Sequence, residues 1–140
     1  MNQKKIIYNL SDIDIVADQI AKELIKIKIL LLKGDLGVGK TTLTKHIVKN
    51  LGSSYNEVTS PTFNLVHRYN TKKQQIWHFD LYRIKSSDEL LNLGIEDALQ
   101  HGIAIIEWGE IAKKYLASQY LQVHIIFTAN IKTRKMILTF

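Results

Sequence analysis

The chain contains no cysteine. A disulfide framework and any thiolate metal site are therefore excluded, a composition compatible with a reducing cytosol. No apolar run approaches the ~18 residues that cross a bilayer. The opening Met1-Asn2-Gln3-Lys4-Lys5 leads into only a short apolar stretch, so a soluble, cytoplasmic protein without a membrane partner is expected. Internal repeats, low-complexity tracts and linkers are also missing. With 140 residues, 46% of them hydrophobic, the expectation is one globular domain over residues 1–140 with a modest core. No Asn-Lys-x-Asp or Thr-Lys-x-Asp sequence occurs, which removes the usual basis for reading guanine and makes ATP the default among nucleotides. The histidines His46, His67, His101 and His124 show no metal-ligand spacing with one another and read as structural or surface residues. Acidic charge is in the minority: the formal net charge is +6, which favours anionic partners such as nucleotide, RNA or an acidic protein surface. The lysines are scattered, so a solvated basic surface accounts for them equally well.

What is present is Gly34-Asp35-Leu36-Gly37-Val38-Gly39-Lys40-Thr41, which fits G-x-x-x-x-G-K-[ST]. Such a pattern means little without its setting. Here Ile29-Leu30-Leu31-Leu32 reads as a buried strand entering the loop, and Thr42 to Leu51, stopped by Gly52, as the helix leaving it. Glycines let the backbone curl so that successive N–H groups converge on an anion, and the following helix adds its N-terminal partial positive charge. Lys40 would reach the β- and γ-phosphates and the Thr41 hydroxyl would hold Mg²⁺.

Hydrophobic periodicity organises the rest. Lys5 to Leu10 reads as a strand, followed by a helix with Ser11 as its N-cap and Asp14 in its first turn, running to about Lys26. Ile13, Val16, Ala17, Ile20, Ala21 and Leu24 give that helix one buried face. Thr59-Ser60-Pro61-Thr62 is a polar break. Phe63 to Tyr69 and Gln74 to Phe79 predict a hairpin, and a short helix starts at Ser86, interrupted at Gly94 and resumed over Ile95 to Gln100. Ile103 to Ile106 is a second fully apolar strand, Gly109 to Leu116 a helical segment, and Leu121 to Thr128 with Met136 to Phe140 a closing hairpin. The fold class is α/β: a three-layer domain like those of P-loop NTPases, with a mixed, largely parallel sheet and hairpins.

A phosphate loop requires a carboxylate at the end of a neighbouring strand to complete a Mg²⁺ site. Glu107, after four apolar residues, is assigned to the metal, and Asp80, after Ile76-Trp77-His78-Phe79, to the γ-phosphate side, where it orients the attacking water. An exchange of these two roles is compatible with the sequence. Ser60 and Thr62 offer hydroxyls to the phosphate or its water, although a proline turn with a capping hydroxyl explains the same residues. His78, Asp80 and Tyr82 share a face if their strand continues, Arg83 is a phosphate or partner contact or else a surface arginine, and Trp108 reads as a packed core aromatic.

Gly34 to Thr42, Ser60-Pro61-Thr62-Phe63, His78-Phe79-Asp80-Leu81-Tyr82-Arg83 and Glu107-Trp108 occur in an order and spacing that resemble the bacterial TsaE (YjeE) family over nearly the whole chain. The resemblance implies a small P-loop ATPase acting with TsaB, TsaC and TsaD in threonylcarbamoyl modification of the adenosine just 3′ of the anticodon in tRNAs reading A-starting codons. ATP and Mg²⁺ follow as cofactors. The TsaD–TsaB pair follows as the docking partner, with tRNA reached indirectly through that complex and ATP hydrolysis resetting it between turnovers. On the same grounds Gly37, Val38, Gly39, Lys40, Thr41 and Thr42 would wrap the phosphates, with Thr41 and Glu107 on the metal and Lys40, Asp80 and Glu107 as the catalytic set. Ser60 and Thr62 would respond to nucleotide state. Val38 replaces a common alanine at a place where the backbone N–H is what matters. Ile15 stands where threonine is frequent, near the expected adenine pocket. Arg134, in the final hairpin, would approach the nucleotide or remain an exposed strand residue.

Other readings share the loop. A nucleotide-gated docking module would need neither Asp80 nor Glu107, so their presence favours retained chemistry. A small-molecule kinase would need an acceptor pocket and an arginine-bearing lid, for which 140 residues with Arg68, Arg83 and Arg134 leave little material.

Overall fold

An unbroken apolar run such as Ile29–Leu32 makes a strand that must be covered on both faces. In the computed structural model, which describes residues 2–53, 65–116 and 119–140, that strand, β2 (Ile29–Lys33), is the middle member of a seven-stranded sheet. The other elements in chain order are β1 (Gln3–Asn9), α1 (Ile13–Ile27), α2 (Lys40–Asn50), β3 (Val66–Asn70), β4 (Gln75–Asp80), α3 (Ser87–Asn92), α4 (Ile95–His101), β5 (Gly102–Glu107), β6 (Leu121–Phe127) and β7 (Thr133–Thr139). A 3-10 segment, Gly109–Tyr115, stands where the sequence predicts a helix. The strand order is β1-β7-β6-β2-β5-β4-β3. Strands β6, β2, β5 and β4 run parallel, whereas the β3–β4, β6–β7 and β1–β7 pairs are antiparallel. The fold is α/β with a mixed, mostly parallel open sheet.

Alternation along β2 divides the core. Leu30 and Leu32 pack with α1 and α2 on one face, and Ile29 and Leu31 pack with Trp77, Phe79, Leu90 and Ile95 on the other. Burying each such aliphatic side chain contributes about 1.5–3 kcal/mol, which is why the sheet holds its layers without disulfides. Helix α1 buries Ile13, Val16, Ala17, Ile20, Ala21 and Leu24, as its periodicity predicts. Its start differs from the sequence reading. Ser11 is no N-cap but part of a 3-10 turn, Leu10–Asp12, because the Leu10 N–H is drawn to the Lys132 carbonyl at 2.8 Å and delays the helix. Asp14 does lie in the first turn, where it accepts from Asn50 at 3.3 Å and contacts His46 Nδ1 at 2.9 Å, tying α1 to α2. The predicted hairpin at residues 63–79 is β3–β4, with Phe63 outside the described residues. Among the described residues, no helix is long and apolar enough to cross a membrane.

Candidate functional site

The loop between β2 and α2 emerges at the carboxyl ends of the parallel strands, where ligands bind in open α/β sheets. Its glycines take left-handed conformations, with φ 154° at Gly34, 78° at Gly37 and 116° at Gly39. They serve different ends. A Cβ on Gly34 would stand 2.7 Å from Val38 Cγ1 and 2.9 Å from the Ile125 carbonyl oxygen, whereas one on Gly37 or Gly39 would meet nothing within 4 Å. Gly34 is thus required by packing, and the other two border open space. Val38 does more than lend its N–H: fully buried in the core beneath the loop, it anchors the loop to the sheet. Helix α2 begins at Lys40, two residues before the predicted start, which places Lys40 and Thr41 in its first turn. That turn carries no acidic residue, so the positive end of the helix dipole is left for an external anion.

Gly37, Gly39, Lys40, Thr41, Thr42, Asp80, Glu107 and Trp108 line one cavity of about 240 Å³. Asp80 and Glu107 arrive there from adjacent parallel strands, as register partners at the last residues of β4 and β5, and both are buried. Leu32 pairs with Glu107 from the other side, bringing the loop against it. Asp80 Oδ1 accepts the Tyr82 N–H at 3.1 Å, which turns the chain out of the sheet. The buried ammonium of Lys40 donates to the Gly34 carbonyl, stands 4.0 Å from Glu107 Oε1 and lies 4.8 Å from the centroid of the Trp108 ring. A buried cation, a helix N-terminus, a hydroxyl and two carboxylates beside open backbone form a donor set suited to a polyphosphate with Mg²⁺, an ion usually held by one or two carboxylates together with substrate phosphates.

Two side chains depart from the sequence reading, and a third, His78, shares the expected face with Asp80 but makes a contact that reading did not include. Strand β4 ends at Asp80, so Tyr82 does not share the face of His78 and Asp80; it is 64% exposed and packs on Trp108 at 4.9 Å between ring centroids. Trp108 is not a core aromatic. Its backbone turns left-handed (φ 57°, ψ 45°) as the chain leaves β5, which lifts the indole to 39% exposure beneath Lys40. His78, left by the sequence reading as a neighbour of Asp80, is fully buried and places Nε2 2.7 Å from Glu107 Oε2. The available signal was a histidine two positions before a strand-end acid, on the same face.

Arg134 sits behind the loop. Its Nε donates to the Val38 carbonyl at 2.9 Å, and Nη1 donates to the carbonyls of Ile131 and Thr133 at 2.9 and 2.8 Å. It is buried rather than an exposed strand residue, and with Tyr8, Leu10, Ile13, Gly37 and Thr42 it borders a second cleft of about 220 Å³. Burial pushes the Tyr8 phenol up, an effect the Arg134 guanidinium partly offsets. Ile15, placed near the adenine pocket by the sequence reading, is 62% exposed and lines neither cavity. On the far side of Lys40, Glu110 accepts from Lys33 at 2.7 Å and Lys113 at 3.0 Å, which holds its carboxyl below the ordinary range. Arg83 is exposed, and Ser60 and Thr62 lie outside the described residues.

Comparison with known proteins shows the family and the fold of the chain. A model of the family described as threonylcarbamoyl adenosine biosynthesis protein TsaE matches residues 7–136. A tRNA threonylcarbamoyladenosine biosynthesis protein TsaE from Rickettsia prowazekii (strain Madrid E) is 43% identical over 104 residues, 74% of this chain and 72% of that protein. Its namesake from Bacillus subtilis (strain 168) is 37% identical over 96 residues, 68% of this chain and 59% of the relative. Among solved structures, that of Bacillus subtilis YdiB superposes with a TM-score of 0.67 and 25% sequence identity, covering 98% of this chain and 84% of the other.

Proposed function

The chain belongs to the TsaE family of tRNA threonylcarbamoyladenosine biosynthesis proteins, and we propose that within that role it is a Mg²⁺-dependent ATPase that docks on the TsaD–TsaB pair and resets it by hydrolysing ATP. The observation that carries this reading is the convergence of Lys40, Thr41, Asp80 and Glu107 on one cavity at the N-terminus of α2. A docking module that merely binds nucleotide with Mg²⁺ would use one buried carboxylate on the metal; the second, Asp80, on the same cavity is what favours hydrolysis.

In this reading the N–H groups of Gly37 to Thr42 receive the phosphate oxygens, and the Lys40 ammonium moves from the Gly34 carbonyl to the β- and γ-phosphates. Thr41 and Glu107 would hold Mg²⁺, which would supply neutralisation of the phosphate charge when bound. Asp80, fixed by the Tyr82 N–H, orients water for in-line attack on the γ-phosphorus and takes its proton; as the new P–O bond forms the bond to the β-phosphate oxygen breaks, and ADP and inorganic phosphate leave. The adenosine lies in the cleft bordered by Tyr8, Leu10 and Ile13. Arg134 is engaged with three carbonyls behind the loop, which leaves the charge-neutralising group of the transition state, worth ~10³ to 10⁵ in rate, to the partner or to the exposed Arg83. The tRNA is reached through the complex.

The deciding measurement is ATP hydrolysis by the purified protein with Mg²⁺, alone and with TsaD–TsaB, against Glu107→Ala. A low rate that rises with the pair and vanishes in the variant is expected. Tight ATP binding with no hydrolysis under either condition would leave a nucleotide-gated docking module instead.

A further inference from the structure

His78 is a buried polar residue that the proposed chemistry does not use. Its Nε2 lies 2.7 Å from Glu107 Oε2, and a carboxylate only accepts, so the proton of this contact sits on the imidazole. Among the described residues, Nδ1 of the same ring has no hydrogen-bond partner. Burying an imidazole with one nitrogen unmatched carries a desolvation cost that a phenyl ring would avoid. The return for that cost is the contact with Glu107.

The contact sorts the two oxygens of Glu107. Oε2 is tied inward to His78, while Oε1 is directed toward the loop, 4.0 Å from Lys40 Nζ. The parallel register causes this: Asp80 stands opposite Glu107 and His78 opposite Ile105, so the side chain at position 78 reaches diagonally along the same sheet face to position 107. With no donor at position 78, the carboxylate would be free to rotate onto Lys40 as a closer ion pair, withdrawing both groups from the phosphates.

We infer that His78 is a positioning residue: by donating to Oε2 it holds Glu107 in the orientation that offers Oε1 to the metal ion of the nucleotide site. The inference rests on the reading of this cavity as a Mg²⁺-nucleotide site. Outer partners of this kind are typically worth about 10–100-fold in metal affinity.

The test compares wild type, His78→Phe, which keeps the ring and removes the donor, and His78→Gln, which keeps an N–H donor. Binding of a non-hydrolysable ATP analogue is followed by calorimetry across a Mg²⁺ series. The expected result is unchanged affinity without Mg²⁺ in all three, a Mg²⁺ requirement raised about 10–100-fold in His78→Phe, and substantial recovery in His78→Gln. A Mg²⁺ requirement in folded His78→Phe equal to that of wild type would overturn the inference. So would equal loss of analogue binding in both variants without Mg²⁺, which would mark a purely structural histidine. Should His78→Phe fail to fold, the ¹⁵N-histidine spectrum of the wild-type protein decides: adding Mg²⁺ to the analogue complex is expected to shift the His78 Nε2 resonance, and no shift would refute the role. A wild type without any Mg²⁺-dependent binding would instead bring down the nucleotide-site reading, an outcome visible before any variant is examined.

Discussion

Asp80 and Glu107 stand opposite one another in register at the ends of the parallel strands β4 and β5, yet their surroundings differ. Glu107 touches His78 and faces Lys40, whereas Asp80 accepts the N–H of Tyr82 as the chain leaves the sheet. Two carboxylates at one level of the sheet are thereby prepared for separate tasks.

That difference predicts separable defects. Asp80→Asn is expected to keep Mg²⁺-dependent nucleotide affinity near that of wild type while turnover falls about 10²–10⁴-fold, the usual span for loss of a group that handles the attacking water's proton. Glu107→Gln should lose the Mg²⁺-dependent part of binding as well as turnover. Titration of a nucleotide analogue with and without Mg²⁺, beside single-turnover hydrolysis, separates them; matching profiles for the two variants would refute the division of roles.

Gly34 and Gly37 should respond differently to the same substitution. Gly34→Ala drives a methyl group against Val38 and the Ile125 carbonyl, an overpacking expected to cost about 1–3 kcal/mol and to lower the melting temperature. Gly37→Ala meets open space and adds left-handed strain of about 1–2 kcal/mol without a clash; because Gly37 lines the phosphate cavity, nucleotide affinity should fall as well. Thermal melts and binding isotherms of the pair provide the check.

Arg134→Met should weaken nucleotide binding without removing any group from the phosphate cavity. It deprives the buried Val38 carbonyl of its Nε donor, and an unmatched buried acceptor costs about 1–3 kcal/mol. Because Val38 anchors the loop to the core, both the melting temperature and nucleotide affinity are expected to fall. Wild-type affinity in a destabilised Arg134→Met would show that the loop keeps its shape without this support.

The α1–α2 contact makes a statement about acid stability. The His46 hydrogen bond foremost, then Asn50 and Lys49, hold the half-buried Asp14 carboxyl below its ordinary value. A group depressed in the folded state contributes stability that is present above its unfolded pKa, about 3.9, and lost as pH falls through the lower folded value. Asp14→Asn should therefore flatten the acid limb of the stability profile below about pH 4 while shifting the neutral melting temperature only slightly. Melting temperatures of both proteins from pH 3 to 6 test this, and parallel curves would count against it.

What could be read along the chain was whatever depends on nearby residues. The glycine spacing of the phosphate loop, the three-and-four periodicity of α1 and the two-faced apolar run of β2 are local demands of backbone geometry and burial, and each stands where the residues themselves required it. Strand-end carboxylates at Asp80 and Glu107 were legible for the same reason. What only the tertiary structure decided depends on strand order and register. Placing β5 between β2 and β4 puts Glu107 beside both His78 and Lys40, and pairing β7 with β6 brings Arg134 under the loop 96 residues before it in the chain. The left-handed turn at Trp108 moves an indole from the expected core to the rim of the site. These contacts join residues distant in sequence, whose meeting is settled by how the whole sheet buries its two faces, and no local pattern encodes it.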